Sequence, residues 1–277
     1  MDYVELNIEL KTLEPWRDIL VSQLAEKGFE SFVETKTGLQ SYIPQKNFED
    51  SMLVDLEHME AIQKLETKVI QDQNWNATWE ENFDPVLVED QLAIIAPFHT
   101  GEFSQGTVIT IQPQMSFGTG HHQTTWLASK RFFDLDLEGK RVLDMGTGTG
   151  ILAILAEKLG AKEVFAPDID EWSYNNAQEN IALNNGKNIE VALGDDQLLK
   201  GRTFDVIVAN INKNILLQHF ANYAEVIVDE GTLLISGFFE TDQADLIEAA
   251  SKVGFIFEYI FTKDEWALIQ FRMNKRT

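Results

Sequence analysis

The chain of 277 residues has no cysteine, which excludes disulfides and thiolate metal sites and removes any sign of an oxidising compartment. Histidine is scarce, with 5 in all. The adjacent pair His121-His122 has no carboxylate–histidine spacing beside it, and neighbours in sequence point apart, so no metal site is expected. Long apolar runs are missing: Ile151 to Ala156 is typical of the longest, far short of the ~18 residues of a membrane span. The N-terminus, Met1-Asp2-Tyr3-Val4-Glu5, lacks the basic and apolar regions of a signal peptide. Basic residues are few, 22 Lys and Arg against 45 Asp and Glu, for a formal charge of −23. That balance excludes an extended phosphate-binding surface and suits a basic protein partner. These absences predict a cytoplasmic enzyme that meets neither membrane nor nucleic acid.

Glycine, in contrast, is concentrated. In Val142-Leu143-Asp144-Met145-Gly146-Thr147-Gly148-Thr149-Gly150-Ile151-Leu152, a short apolar run ends in a carboxylate, three glycines follow at every second position, and a helical pattern begins. The segment reads as a strand, a tight turn and a helix N-terminus. Its last glycine gap is one residue shorter than in the dinucleotide fingerprint G-x-G-x-x-G, and Asp144 just before the first glycine would repel a pyrophosphate. A carboxylate there suits a cofactor that carries positive charge, such as the ammonium and sulfonium of S-adenosylmethionine. A second glycine loop, Ser116-Phe117-Gly118-Thr119-Gly120-His121-His122-Gln123-Thr124-Thr125, runs into a helix expected at 122–134.

In order, residues 3–10 alternate as a strand, a helix opens at Pro15 and ends at Gly28, and short strands flank Thr37-Gly38. A second helix is expected from Asn47 to Met59 and a last strand from Gln63 to Ile70. That order, strand-helix-strand-strand-helix-strand, is the ferredoxin-like unit. Up to Glu66 there are 14 acidic and 6 basic residues, a net charge of −8. Trp75 and Trp79 share a helix face, and strands are expected at 86–97 and 107–112. From Arg141 strand alternates with helix, and the final strands, 255–262 and 266–272, are joined by Lys263-Asp264-Glu265, too short for a parallel crossover. The fold class is therefore α/β: a seven-strand doubly wound, Rossmann-like domain preceded by a small ferredoxin-like α+β domain. The boundaries expected are 1–60 for the small domain, 61–74 for a linker and 75–277 for the large domain.

In a doubly wound sheet ligands sit outside the carboxyl ends of the strands, and the marked residues fall there. Asp168, 22 residues past Gly146, ends the second strand, where a carboxylate can take both ribose hydroxyls; Asp195 or Asp196 follows the third; Asn210 ends the fourth.

The glycine turn resembles the first motif of seven-strand S-adenosylmethionine-dependent methyltransferases. Phe117-Gly118-Thr119-Gly120-His121-His122-Gln123-Thr124-Thr125 is similar to the Phe-Gly-Thr-Gly-x-His-x-Thr-Thr loop of the bacterial methyltransferases of ribosomal protein L11. Trp75-x-x-x-Trp79, Lys158-Leu159-Gly160-Ala161, Asp168-Ile169-Asp170, Ala209-Asn210-Ile211, Ser236-Gly237 and Glu265-Trp266 follow that family in the same order. Pro167, Trp172 and Ser173 depart from it without removing a proposed contact. The resemblance implies S-adenosylmethionine as cofactor, contacts on Thr125, Gly146, Asp168 and Asn210 with Asp144, Gly148 and Asp195 nearby, and transfer to lysine ε-amines and an N-terminal α-amine of ribosomal protein L11, up to trimethylation. Asn210, Phe117 and His122 are expected to position the amine, and residues 1–60 to recognise the protein substrate; the enzyme is expected to be a monomer. The alternatives are a class I methyltransferase acting on another protein or small-molecule amine, and a non-catalytic module that keeps the cofactor fold. The intact Asp144, Gly146, Gly148, Gly150 and Asp168 weigh against the last.

Overall fold

A computed structural model describes residues 2–70, 83–104 and 106–275. The chain divides into two compact units, residues 1–82 and 83–277. Trp75 and Trp79 lie outside the described residues.

In the small unit β1 (Tyr3–Leu10), α1 (Trp16–Glu26), β2 (Ser31–Glu34), β3 (Gly38–Pro44), α2 (Val54–Glu57) and β4 (Ile62–Ile70) build a four-stranded antiparallel sheet of order β2-β3-β1-β4. Strict alternation along β1 buries Val4, Leu6, Ile8 and Leu10 against Leu20 and Leu24 of α1, and against Leu53 and Leu56. This is the ferredoxin-like order. Two expectations change. The helix from Asn47 to Met59 contracts to 3-10 turns at 45–47 and 50–53 and the single turn of α2. Phe48 is extended, and the Glu49 side chain accepts from Ser51 Oγ, local bonding that competes with a helical start. The stretch assigned to a linker, 61–74, begins as sheet, since β4 pairs with β1 from Ile62 to Ile70.

The large unit opens with a three-stranded sheet: β5 (Val86–Val88), β6 (Leu92–Ile95) and β7 (Thr107–Thr110). The strand expected at 86–97 is thus a hairpin, broken where Glu89 takes a positive φ of 49°. The main sheet follows: β8 (Arg141–Met145), β9 (Glu163–Asp168), β10 (Ile189–Leu193), β11 (Phe204–Asn210), β12 (Ile227–Phe239), β13 (Phe255–Lys263) and β14 (Trp266–Met273). Its order is β10-β9-β8-β11-β12-β14-β13, parallel from β10 to β12, with β14 antiparallel to both neighbours. Side chains of each central strand divide between two cores. Val142, Val206 and Val208 pack on one face with α3 (Gln123–Phe132) and α4 (Ile151–Lys158). Leu143, Ile207 and Ala209 pack on the other with α6 (Lys213–Val226) and α7 (Gln243–Lys252). With α5 (Glu171–Leu183), the helices cover both faces, and the carboxyl ends of the parallel strands share one edge.

Candidate active site

At that edge lies a cavity of about 780 Å³. Its lining includes Gly146, Gly148, Asp168, Asp195, Asp196 and Asn210 from the ends of β8 to β11, with Phe117 and His122 from the loop before α3 and Trp266 from β14.

The turn after β8 exists because glycine accepts left-handed backbone: Gly146, Gly148 and Gly150 have φ of 72°, 57° and 82°. At Gly148 space is limiting too, since a Cβ would lie 2.2 Å from the Phe117 carbonyl oxygen. The two glycine loops are bonded together: Thr149 N donates to Phe117 O at 2.9 Å, and Thr149 Oγ1 to Gly118 O at 2.6 Å. His122 caps α3, its Nδ1 accepting from Thr124 N at 3.3 Å and lying 2.8 Å from Thr124 Oγ1. Desolvation lowers the His122 pKa, so the imidazole is neutral at physiological pH.

Asp168 lines the cavity while Oδ2 accepts from Gly148 N at 2.9 Å and Oδ1 from Asp170 N at 3.0 Å. The strand-end carboxylate therefore also fixes the glycine turn. Asp195 Oδ1 accepts from Gln197 N at 3.0 Å, capping the turn at 196–199. Asp196 also lines the cavity, but its carboxylate accepts from Asn222 and lies 3.8 Å from His219 Nε2. Asn210 Nδ2 donates to Thr125 Oγ1 at 3.4 Å, and Asn210 Oδ1 is buried with no hydrogen-bond partner among the described residues. Such an acceptor at a cavity wall is open to a donor supplied by a ligand.

Two expected residues stand behind the cavity rather than in it. Asp144, 1% exposed, accepts on Oδ2 from Thr147 Oγ1 at 2.6 Å and from Ala153 N at 3.1 Å. Its carboxylate thus ties the glycine turn to the start of α4, which corrects the expectation that it faces the cofactor's charge. Burial pushes its pKa up to about 7, against the lowering effect of those two bonds. Thr125 is fully buried and meets the site through Asn210.

Sequence reasoning missed Gln218 and His219 on α6 as lining residues, and it took Trp266 as a family mark rather than a wall of the site. The helix stripe Ile215, Gln218, His219 carries no chemical signature until α6 is laid across the sheet edge.

The family model described as ribosomal protein L11 methyltransferase matches residues 8–274. Relatives of that description are 43% identical in Porphyromonas gingivalis, covering 98% of each chain. Another, in Phocaeicola vulgatus, is 42% identical, covering 99% of this chain and 100% of the relative. The crystal structure of ribosomal protein L11 methylase from Lactobacillus delbrueckii subsp. bulgaricus aligns with a TM-score of 0.65 at 30% identity, over 70% of this chain and 100% of that one. A methyltransferase from Pyrococcus furiosus, at 20% identity and a TM-score of 0.52 over 60% of this chain and 90% of that one, shares the fold.

Proposed function

The chain belongs to the ribosomal protein L11 methyltransferase family, and from that premise we propose that it transfers methyl groups from S-adenosylmethionine to lysine and N-terminal amino groups of ribosomal protein L11. The observation that carries this reading is Asn210 Oδ1, an unpartnered acceptor buried in the wall of the strand-end cavity. An N–H of the acceptor amine would be the donor it lacks.

The residues present fit the cofactor. Asp168 offers two carboxylate oxygens for paired hydroxyls, Gly146 and Gly148 bring bare backbone to the cavity, and Asp195 offers an acceptor that an exocyclic amine would use. When bound, the cofactor supplies a methyl group made electrophilic by the sulfonium. Everything else falls to the chain. A lysine amine of pKa about 10.4 must shed its proton to water before it can attack. Asn210 Oδ1 then accepts from a remaining N–H and turns the lone pair toward the methyl group, and holding the two in line provides most of the acceleration. His122 Nδ1 is engaged by Thr124, so we give His122 a positioning role rather than that of a base.

Residues 1–60, with β4, serve in this proposal as the substrate-recognition unit. Their acidity, −8 up to Glu66, favours encounter with a basic ribosomal protein. The enzyme then acts as a monomer in the cytoplasm, where such a substrate is made. Among the described residues no helix is long and apolar enough to cross a membrane. The test is incubation with labelled cofactor and ribosomal protein L11, the label being located by mass spectrometry. Label on amino groups, lost in Asn210→Ala, is the expected result; no label on ribosomal protein L11 overturns the assignment.

A further inference from the structure

Three aromatic rings meet at one end of the cavity. Phe117 and His122 have centroids 5.1 Å apart at 61°, His122 and Trp266 4.5 Å apart at 72°, and all three residues line the cavity. A fourth ring, Phe239, lies 4.3 Å from Trp266 at 33° and is 45% exposed. Of the lining carboxylates, Asp168 ends β9 and Asp195 and Asp196 follow β10, on the other side of β8. On the reading of this site as an amine methyltransferase, we propose that Trp266, backed by Phe239 and flanked by His122 and Phe117, is a cation-binding wall that holds methylated ammonium groups and so sets how many methyls one amine receives.

The argument rests on what methylation takes away. Each round forms one N–C bond, breaks the C–S bond of the sulfonium with its electron pair left on sulfur, and passes one N–H proton to water. In the neutral form that attacks, a primary amine has two N–H donors for Asn210 Oδ1, a monomethyl amine one and a dimethyl amine none. Hydrogen bonding weakens as the reaction proceeds. Attraction to aromatic faces does the opposite, because a methylated ammonium spreads its charge over carbon-bound hydrogens and is poorly hydrated. The ring wall thus takes over as Asn210 lets go. His122 fits this role only when neutral, since an imidazolium would repel the cation. Its partial burial keeps it so.

Trp266 opens β14 directly after the turn at Asp264 and is held by its antiparallel partners, Lys263 on β13 and Phe239 on β12. Its ring is therefore placed by the sheet, not by a free loop.

The experiment compares two probes on the full chain without cofactor: N-acetyl-trimethyllysine methylamide, and the same molecule with a neutral tert-butyl group in place of trimethylammonium. NMR titration reads both affinities. The wild type should prefer the cation by about 10-fold, or about 1.4 kcal/mol, and Trp266→Leu should lose most of that preference. Phe239→Leu, a change at a half-exposed side chain, should reduce it about 2- to 3-fold and serves if Trp266→Leu does not fold. In a methylation assay both variants should shift the product from tri- and dimethyl toward monomethyl amine. Equal binding of the two probes by the wild type overturns the proposal, as does an unchanged preference in folded variants. A protein that methylates amines but shows no cation preference removes only the wall; one that methylates no amine removes the reading beneath it.

Discussion

The two ends of the cavity are built by different means. At the β9–β10 end the polar groups come from strand ends in register, with Leu193 paired to Asp168; Asp168 and Asp195 each accept from main chain two residues on, and Asp168 from the glycine turn as well. At the other end the rings arrive from segments far apart in sequence: the loop before α3, the end of β12 and the start of β14. The first end is precise because local backbone geometry fixes it. The second depends on the whole sheet having closed correctly. A cofactor of constant shape suits the first, and an acceptor amine that changes with each methyl suits the second.

The sharpest way to break the contrast is to strike where both ends meet. Gly148→Val puts a branched side chain at φ 57° and its Cβ on the Phe117 carbonyl, so both loops must move. Cofactor affinity by calorimetry should fall more than about 100-fold with circular dichroism retained, and methyl transfer should fall with it. Asp168→Ala tests the strand-end half alone and should weaken cofactor binding by ~1.5–3 kcal/mol, the range for hydrogen bonds to a charged group. Unchanged affinity in a folded protein would remove Asp168 from the site. Gly120→Val is milder: φ is 96°, but the colliding atom is Ile94 Cδ1 at 2.6 Å, the end of a flexible side chain. A roughly 10-fold fall in methyl-transfer kcat is expected from ~1–2 kcal/mol of strain, with cofactor affinity less affected. Transfer at the normal rate would reduce that loop to a connector.

The remaining effect concerns stability. Asp144 stays protonated in the folded protein up to about pH 7, whereas in the unfolded chain it ionises near 3.8. Between those values the folded state binds the extra proton, so stability declines as pH rises through that window, by at most ~1.4 kcal/mol per unit. Thermal unfolding scanned from pH 5 to 7 should show Tm falling across this range once other groups are accounted for, and Asp144→Asn should flatten the slope.

Much of this was legible in the sequence because its signals are local. Strand, turn and helix follow one another within Val142 to Leu152, and Asp168, Asp195 and Asn210 sit at strand ends that periodicity marks directly. The antiparallel final hairpin followed from a three-residue connection. What escaped was set by tertiary context. Asp144 reads as a cofactor contact until the fold turns its carboxylate back to Thr147 and Ala153. The apolar stripe from Met52 to Met59 promises a helix, yet Leu53 and Leu56 reach the core from 3-10 turns and one turn of α2. Trp266 becomes a wall of the site only when β14 is inserted beside β12.

The bonds from Thr149 to Phe117 and Gly118 have a consequence for regulation of affinity. On the proposed reading they make the cofactor turn and the amine-facing loop one mechanical piece. Any free energy by which one ligand tightens this piece is returned to the other in equal amount, because coupling between two binding events is reciprocal. Cofactor and acceptor cannot therefore be tuned independently here: a change that sharpens grip on one through this junction alters the hold on the other.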